Sequence, residues 1–204
     1  MAPTPALIAA LFACLLLSGC TSSESTSPSA ASPTVSSSAV TPSSQSPSAS
    51  PTPTWSADQA AAVAAVDEYR AAIHRIEANP AGFSEAQMKT ILNQVAGGKV
   101  VTANAGSYLS LKKRGFRYDG DTTVVSTIAS TASEASYGTE VFVTRCIDQR
   151  GLRVLDKADT EVSAAELGYT IPDFNLRQYT VVRRTGSKDF LVYGLAPAKG
   201  ECGP

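Results

Sequence analysis

The chain has 204 residues, 17 Lys and Arg against 18 Asp and Glu, a formal net charge of −1 and a pI near 5.8. That balance excludes the basic footprint of a nucleic-acid binder, so no nucleic-acid partner is expected. No P-loop, G-x-S-x-G, H-E-x-x-H or dinucleotide fingerprint occurs, which leaves the common nucleotide and hydrolase readings without a handle.

The first element is an apolar run over residues 6–17, too short for a membrane-spanning helix, which needs about 20 residues. It ends in Leu17-Ser18-Gly19-Cys20. An aliphatic residue, two small ones and a cysteine resemble the lipobox of bacterial lipoproteins. That resemblance implies a signal peptide over residues 1–19, cleavage before Cys20 and a diacylglyceryl group on its sulfur. One feature departs from a simple signal, in that residues 1–5 lack Lys and Arg; the rival Cys14 follows Leu11-Phe12-Ala13, whose bulky Phe12 and very short upstream run argue against it. The expected location is the extracytoplasmic face of the bacterial cell membrane, with the lipid membrane engaged through acylated Cys20. Stable attachment takes two or more acyl chains. The same resemblance implies an oxidising compartment, in which Cys146 and Cys202 are expected to form a disulfide. A zinc site is not expected, with one His and no C-x-x-C pair.

The segment 20–56 follows as a spacer. Residues 21–54 hold 26 Ser, Thr or Pro among 34 positions. Such a composition cannot bury enough apolar surface to offset ordering entropy, so it reads as a disordered, Pro-stiffened linker. Tracts of this kind are also common sites of O-glycosylation.

The folded domain is expected over residues 57–204. Ser56 precedes Gln59 by three, a capping-box spacing, and Val63, Val66, Tyr69 or Arg70, Ile73 and Ile76 then recur at helical intervals until Asn79-Pro80. A second box, Ser84 with Gln87, opens a helix whose buried stripe is Met88, Ile91, Leu92 and Val95, ending at Gly97-Gly98. Phe83 and Met88 occupy the positions of a hydrophobic staple. A third helix is expected over 101–114, with Tyr108 inward and Gly115 as its left-handed terminus. Beyond Gly115 the period changes to two. Strands are expected at Phe116-Arg117-Tyr118, through the Thr/Val run to Ile128, and over 137–148, 152–155, 176–184 and 190–195. The last two flank Thr185-Gly186-Ser187-Lys188 as a hairpin. Helices followed by antiparallel strands make an α+β domain.

Several local features add a resemblance: Trp55 before an Ala-rich helix, Arg114-Gly115-Phe116-Arg117-Tyr118-Asp119-Gly120, Val143-Thr144-Arg145-Cys146-Ile147-Asp148 and the near-terminal Cys202. Together they resemble the NTF2-like (cystatin-like) superfamily, and more narrowly actinobacterial and actinophage lipoproteins carrying one such domain. The fold this implies is a curved antiparallel sheet wrapping N-terminal helices as a cone. The resemblance also implies a pocket, for which Tyr69, Tyr108, Tyr118, Asp148 and Tyr179 are the candidate lining residues. His74 reads as a solvated boundary residue, Asp119-Gly120-Asp121 as a turn rather than a calcium loop, and Arg183-Arg184 as a solvated edge. The expected function is that of a non-enzymatic binding or envelope-accessory module without cofactor, its partner an envelope protein or a small apolar ligand. The alternative is a SnoaL/ketosteroid-isomerase-like enzyme or an apolar-ligand carrier using the cone.

Overall fold

The computed structural model describes residues 54–203. The expected signal peptide, Cys20 and nearly all of the Ser/Thr/Pro segment therefore lie outside the described residues.

Both capping boxes form. Ser56 Oγ accepts from Gln59 N while Ser56 N donates to Gln59 Oε1, opening α1 (Ala57–Ala78). Ser84 and Gln87 repeat this at α2 (Glu85–Asn93). Helix α3 (Lys99–Arg114) starts two residues earlier than its apolar pattern indicates and ends at Gly115 with φ 74°. The α2–α3 turn is pressed onto the last strand. Gly97 N donates to Val192 O at 3.0 Å, and a Cβ at Gly97 would meet the Tyr193 ring at 2.4 Å. A larger residue there would have to push the ring aside.

The strands are β1 (Arg117–Asp119), β2 (Thr123–Ala129), β3 (Ser133–Ala135), β4 (Gly138–Asp148), β5 (Arg153–Leu155), β6 (Phe174–Arg184) and β7 (Leu191–Pro197), with a four-residue helix α4 (Ala164–Leu167) between β5 and β6. The main sheet is antiparallel in the order β2-β4-β6-β7, with β3 also pairing β4, and β1 and β5 form a separate two-stranded ribbon. One face is buried against α1 through Val141, Val143, Tyr179, Val181 and Val192. Around the middle of β4 the burial alternates, with Val141 and Val143 inward and Phe142 outward.

The sheet is open, and neither sheet is closed or strongly curled, which overturns the NTF2-like cone. The reason lies in the register. Strands β4 and β6 pair over eleven consecutive positions from Gly138↔Arg184 to Asp148↔Phe174 without a shift. Strong bending is introduced by bulges. The two irregularities of this sheet fall in the outer pairings, between Val124 and Ser126 and between Thr180 and Val181. With β1 and β5 split off as their own ribbon, no continuous strand set wraps the helices.

Charged cross-ties fasten α1 to the sheet. Arg145 is only 3% exposed, and its Nη1 donates to Asp67 Oδ1 at 2.7 Å while Nη2 donates to Val63 O at 3.3 Å. Arg183 Nη1 donates to Asp58 Oδ1 at 2.7 Å, and its guanidinium lies over the Phe190 ring. Arg183 is thus a half-buried tie to the start of α1, not a solvated edge. Cys146 and Cys202 are joined by a disulfide with Cα atoms 5.3 Å apart. It draws the tail beyond β7 across β6, where Ala198 N donates to Leu176 O.

Candidate functional site

Beside the core, the C-terminal half of α1, the length of α3 and the ends of β6 and β7 leave a cavity of about 770 Å³. Residues 69, 70, 73, 74 and 77 share one flank of α1 at helical spacing, and all five line it. From α3 come Lys99, Asn104, Tyr108, Leu111 and Arg114. Alternation on β6 turns Asn175, Arg177 and Tyr179 toward the same face, and Leu195 stands opposite Tyr179 on β7. Tyr118, Thr122 and Tyr169 close the side formed by the β1–β2 and α4–β6 segments.

Four of the sequence-predicted residues, Tyr69, Tyr108, Tyr118 and Tyr179, line this cavity together. Asp148 does not. It ends β4 and is held by Arg150, whose Nη2 lies 2.6 Å from Asp148 Oδ2, and that hydrogen bonding keeps its carboxyl below the usual range. Its predicted pocket role is corrected: the carboxylate is used locally to fix the turn after the strand. His74 is exposed, as its offset from the apolar stripe indicates, and stands on the cavity wall.

The tyrosines form a linked set. Asn104 Nδ2 donates to Tyr69 Oη at 2.5 Å, and the Tyr69 and Tyr179 rings meet edge to face at 6.2 Å. Tyr118 and Tyr169 share a hydrogen bond of 2.7 Å between their hydroxyls. Burial pushes the Tyr69 phenol up to about 12. Burial, then the Glu77 charge, also raises Tyr108, and burial with the Tyr169 hydrogen bond raises Tyr118. These phenols are therefore held as neutral hydrogen-bonding groups.

Glu77 is the residue the sequence reading missed. Burial raises its carboxyl above the ordinary glutamate value, opposed by Arg70, His74, the Tyr108 hydroxyl and Arg177. The signal was present: Tyr69, Ile73 and Glu77 fall at i, i+4 and i+8, so this carboxylate continues the apolar stripe of α1. Arg177 was equally readable as the inward neighbour of Tyr179, two residues away on a strand. Tyr169 carried no local signal, since only the α4 segment brings it to Tyr118. Among the described residues no group of three His, Cys, Asp or Glu is placed to hold a metal ion.

No protein-family model and no curated protein matches the chain. Among solved structures, the chain is similar to the intermembrane space region of the chloroplast protein ARC6, at 12% identity over 72% of this chain and 100% of that one, with a TM-score of 0.48. It is also similar to a de novo designed β-sheet protein, at 14% identity over 68% of this chain and 88% of that one, with a TM-score of 0.30. Overlaps of this size carry no inference about activity, so the functional reading rests on the residues.

Proposed function

We propose that residues 57–204 are a non-enzymatic binding module, held outside the cytoplasm by acylated Cys20 and set off from the membrane by the Ser/Thr/Pro spacer. The order Leu17-Ser18-Gly19-Cys20 supports the location. The observation that carries the binding role is the cavity between α1, α3 and the sheet. At about 770 Å³ it lies within the range of small-molecule sites, roughly 300–1,000 Å³. Its tyrosines offer aromatic surface and neutral hydroxyls, which are binding groups rather than bases.

One observation favours a second reading, an acid–base enzyme. Glu77 is a carboxyl raised by burial beside Tyr108 and inside a cleft, the setting in which a general acid is found. A single experiment separates the two. The full-length protein is extracted from membranes in mild detergent, and its bound small molecules are identified by mass spectrometry before and after incubation. The module reading expects a stoichiometric ligand returned unchanged. Recovery without any bound molecule contradicts it, and conversion that Glu77→Gln abolishes makes the domain an enzyme.

A further inference from the structure

The cavity collects cations and leaves them without carboxylate partners. Arg70 comes from α1, Lys99 and Arg114 from the two ends of α3, and Arg177 from β6, against the one carboxylate of Glu77. Ion pairs among the described residues engage Lys89, Arg117, Arg145, Arg150, Arg153 and Arg183, and none of these four. Their partners are neutral. Arg70 Nη2 donates to Thr122 Oγ1 at 2.9 Å, Arg177 Nε to Asn175 Oδ1 at 3.2 Å, and Arg114 to the carbonyls of Glu166 and Leu167. Four cations outside the ion pairs thus face one concave surface that carries a single carboxylate, in a chain with a net charge of −1.

The strand register sharpens the point. Arg177 on β6 stands directly opposite Arg145 on β4, on the face turned to the helices. Like charges directly opposite each other destabilise a sheet. Arg145 is compensated by Asp67, whereas Arg177 remains open to the cavity. Glu77 lies within electrostatic reach of Arg70 and Arg177, and a single carboxylate cannot balance the four cations of the wall. The rest of the wall includes apolar surface from Ile73, Leu111 and Leu195.

We propose that the cavity binds a small organic anion, its carboxylate or phosphate held between Arg70 and Arg177 and its apolar body laid against Ile73, Leu111 and Leu195. This rests on the binding-module reading and names its ligand class, which differs from the purely apolar ligand expected from the sequence. Guanidinium forks suit both head groups, since each presents a pair of anionic oxygens to paired N–H donors.

The test is calorimetric titration of the full-length protein with four probes: 3-phenylpropionate, phenyl phosphate, uncharged 3-phenylpropanol and inorganic phosphate. At least one of the two aryl anions is expected to bind tenfold or more tightly than the alcohol, and more weakly as salt rises. The stronger of the two identifies the head group, and inorganic phosphate binding as tightly as either aryl anion would overturn the apolar half of the site. Arg177→Gln and Arg70→Gln should each weaken the anion tenfold or more, whereas Lys89→Gln, which removes the same charge on α2, should change nothing. Alcohol binding as tight as that of the acids, or anion binding indifferent to both arginine variants, overturns the proposal while leaving a binding module. Failure of both aryl anions to bind overturns it as well. Loss of the module itself is read separately, as the absence of any co-purified molecule.

Discussion

Glu77 binds its proton more tightly in the folded chain than in the unfolded one, because burial disfavours its charged form. The linkage is therefore the reverse of that of a salt-bridged carboxylate. The stability contributed by protonated Glu77 is fully present below the unfolded glutamate value of about 4.3 and is lost as pH rises through the raised folded value. Glu77→Gln, which keeps the shape and cannot ionise, should melt at a higher temperature than the wild type at neutral pH and lose that part of the pH dependence. Melting curves for the two proteins that remain parallel from pH 4 to pH 8 would contradict the burial argument. Tyr69 belongs to the same physics: a phenol pushed to about 12 stays protonated throughout that range.

At the scale of elements, the disulfide is the cross-link between the β7 tail and the centre of the sheet. Cys146 is buried in β4, and Cys202 lies five residues beyond the last strand, in a segment with little apolar surface of its own. Closing so long a loop restricts the unfolded chain, and loss of a native bridge of this kind costs about 2–4 kcal/mol. Cys202→Ser should lower the stability of the domain by that amount in urea unfolding, with the tail at 198–203 losing hydrogen-exchange protection first. Equal midpoints for wild type and variant would show that the bridge only decorates the sheet. The ties from Arg145 to Asp67 and Arg183 to Asp58 act differently. Asp67 is 62% exposed, so solvent screens that pair, and its main role is to leave the buried Arg145 guanidinium compensated.

Local signals placed the elements well and their assembly poorly. Capping boxes at Ser56 and Ser84, the Gly115 terminus and the alternation around Phe142 depend on residues a few positions apart, and each appears in the structure where the pattern put it. The curvature of the sheet was not legible, because it depends on uninterrupted pairing of β4 with β6, strands about 36 residues apart in the chain. The separate β1–β5 ribbon is non-local in the same way. For the site, the tyrosines were visible as inward positions on stripes, while Glu77 was passed over because carboxylates on a stripe read as interruptions. The unpaired state of Arg70 and Arg177 could not be read at all, since an arginine's partner comes from distant chain.

For the whole molecule, the domain described over 54–203 follows a proposed anchor and spacer that lie outside the described residues. The proposed anchor would set the compartment, and with it the oxidising conditions that favour the Cys146–Cys202 bridge and the pool of ligands that can reach the cavity. The most direct test of that central claim is the intact mass and N-terminal peptide of the protein recovered from the membrane fraction of its native cell, compared with Cys20→Ala. The account predicts a mature chain beginning at Cys20 with the added mass of its acyl groups, and a variant that is either unprocessed or released from the membrane. A chain that still carries residues 1–19, or a Cys20→Ala protein that is processed and membrane-bound like the wild type, would contradict it.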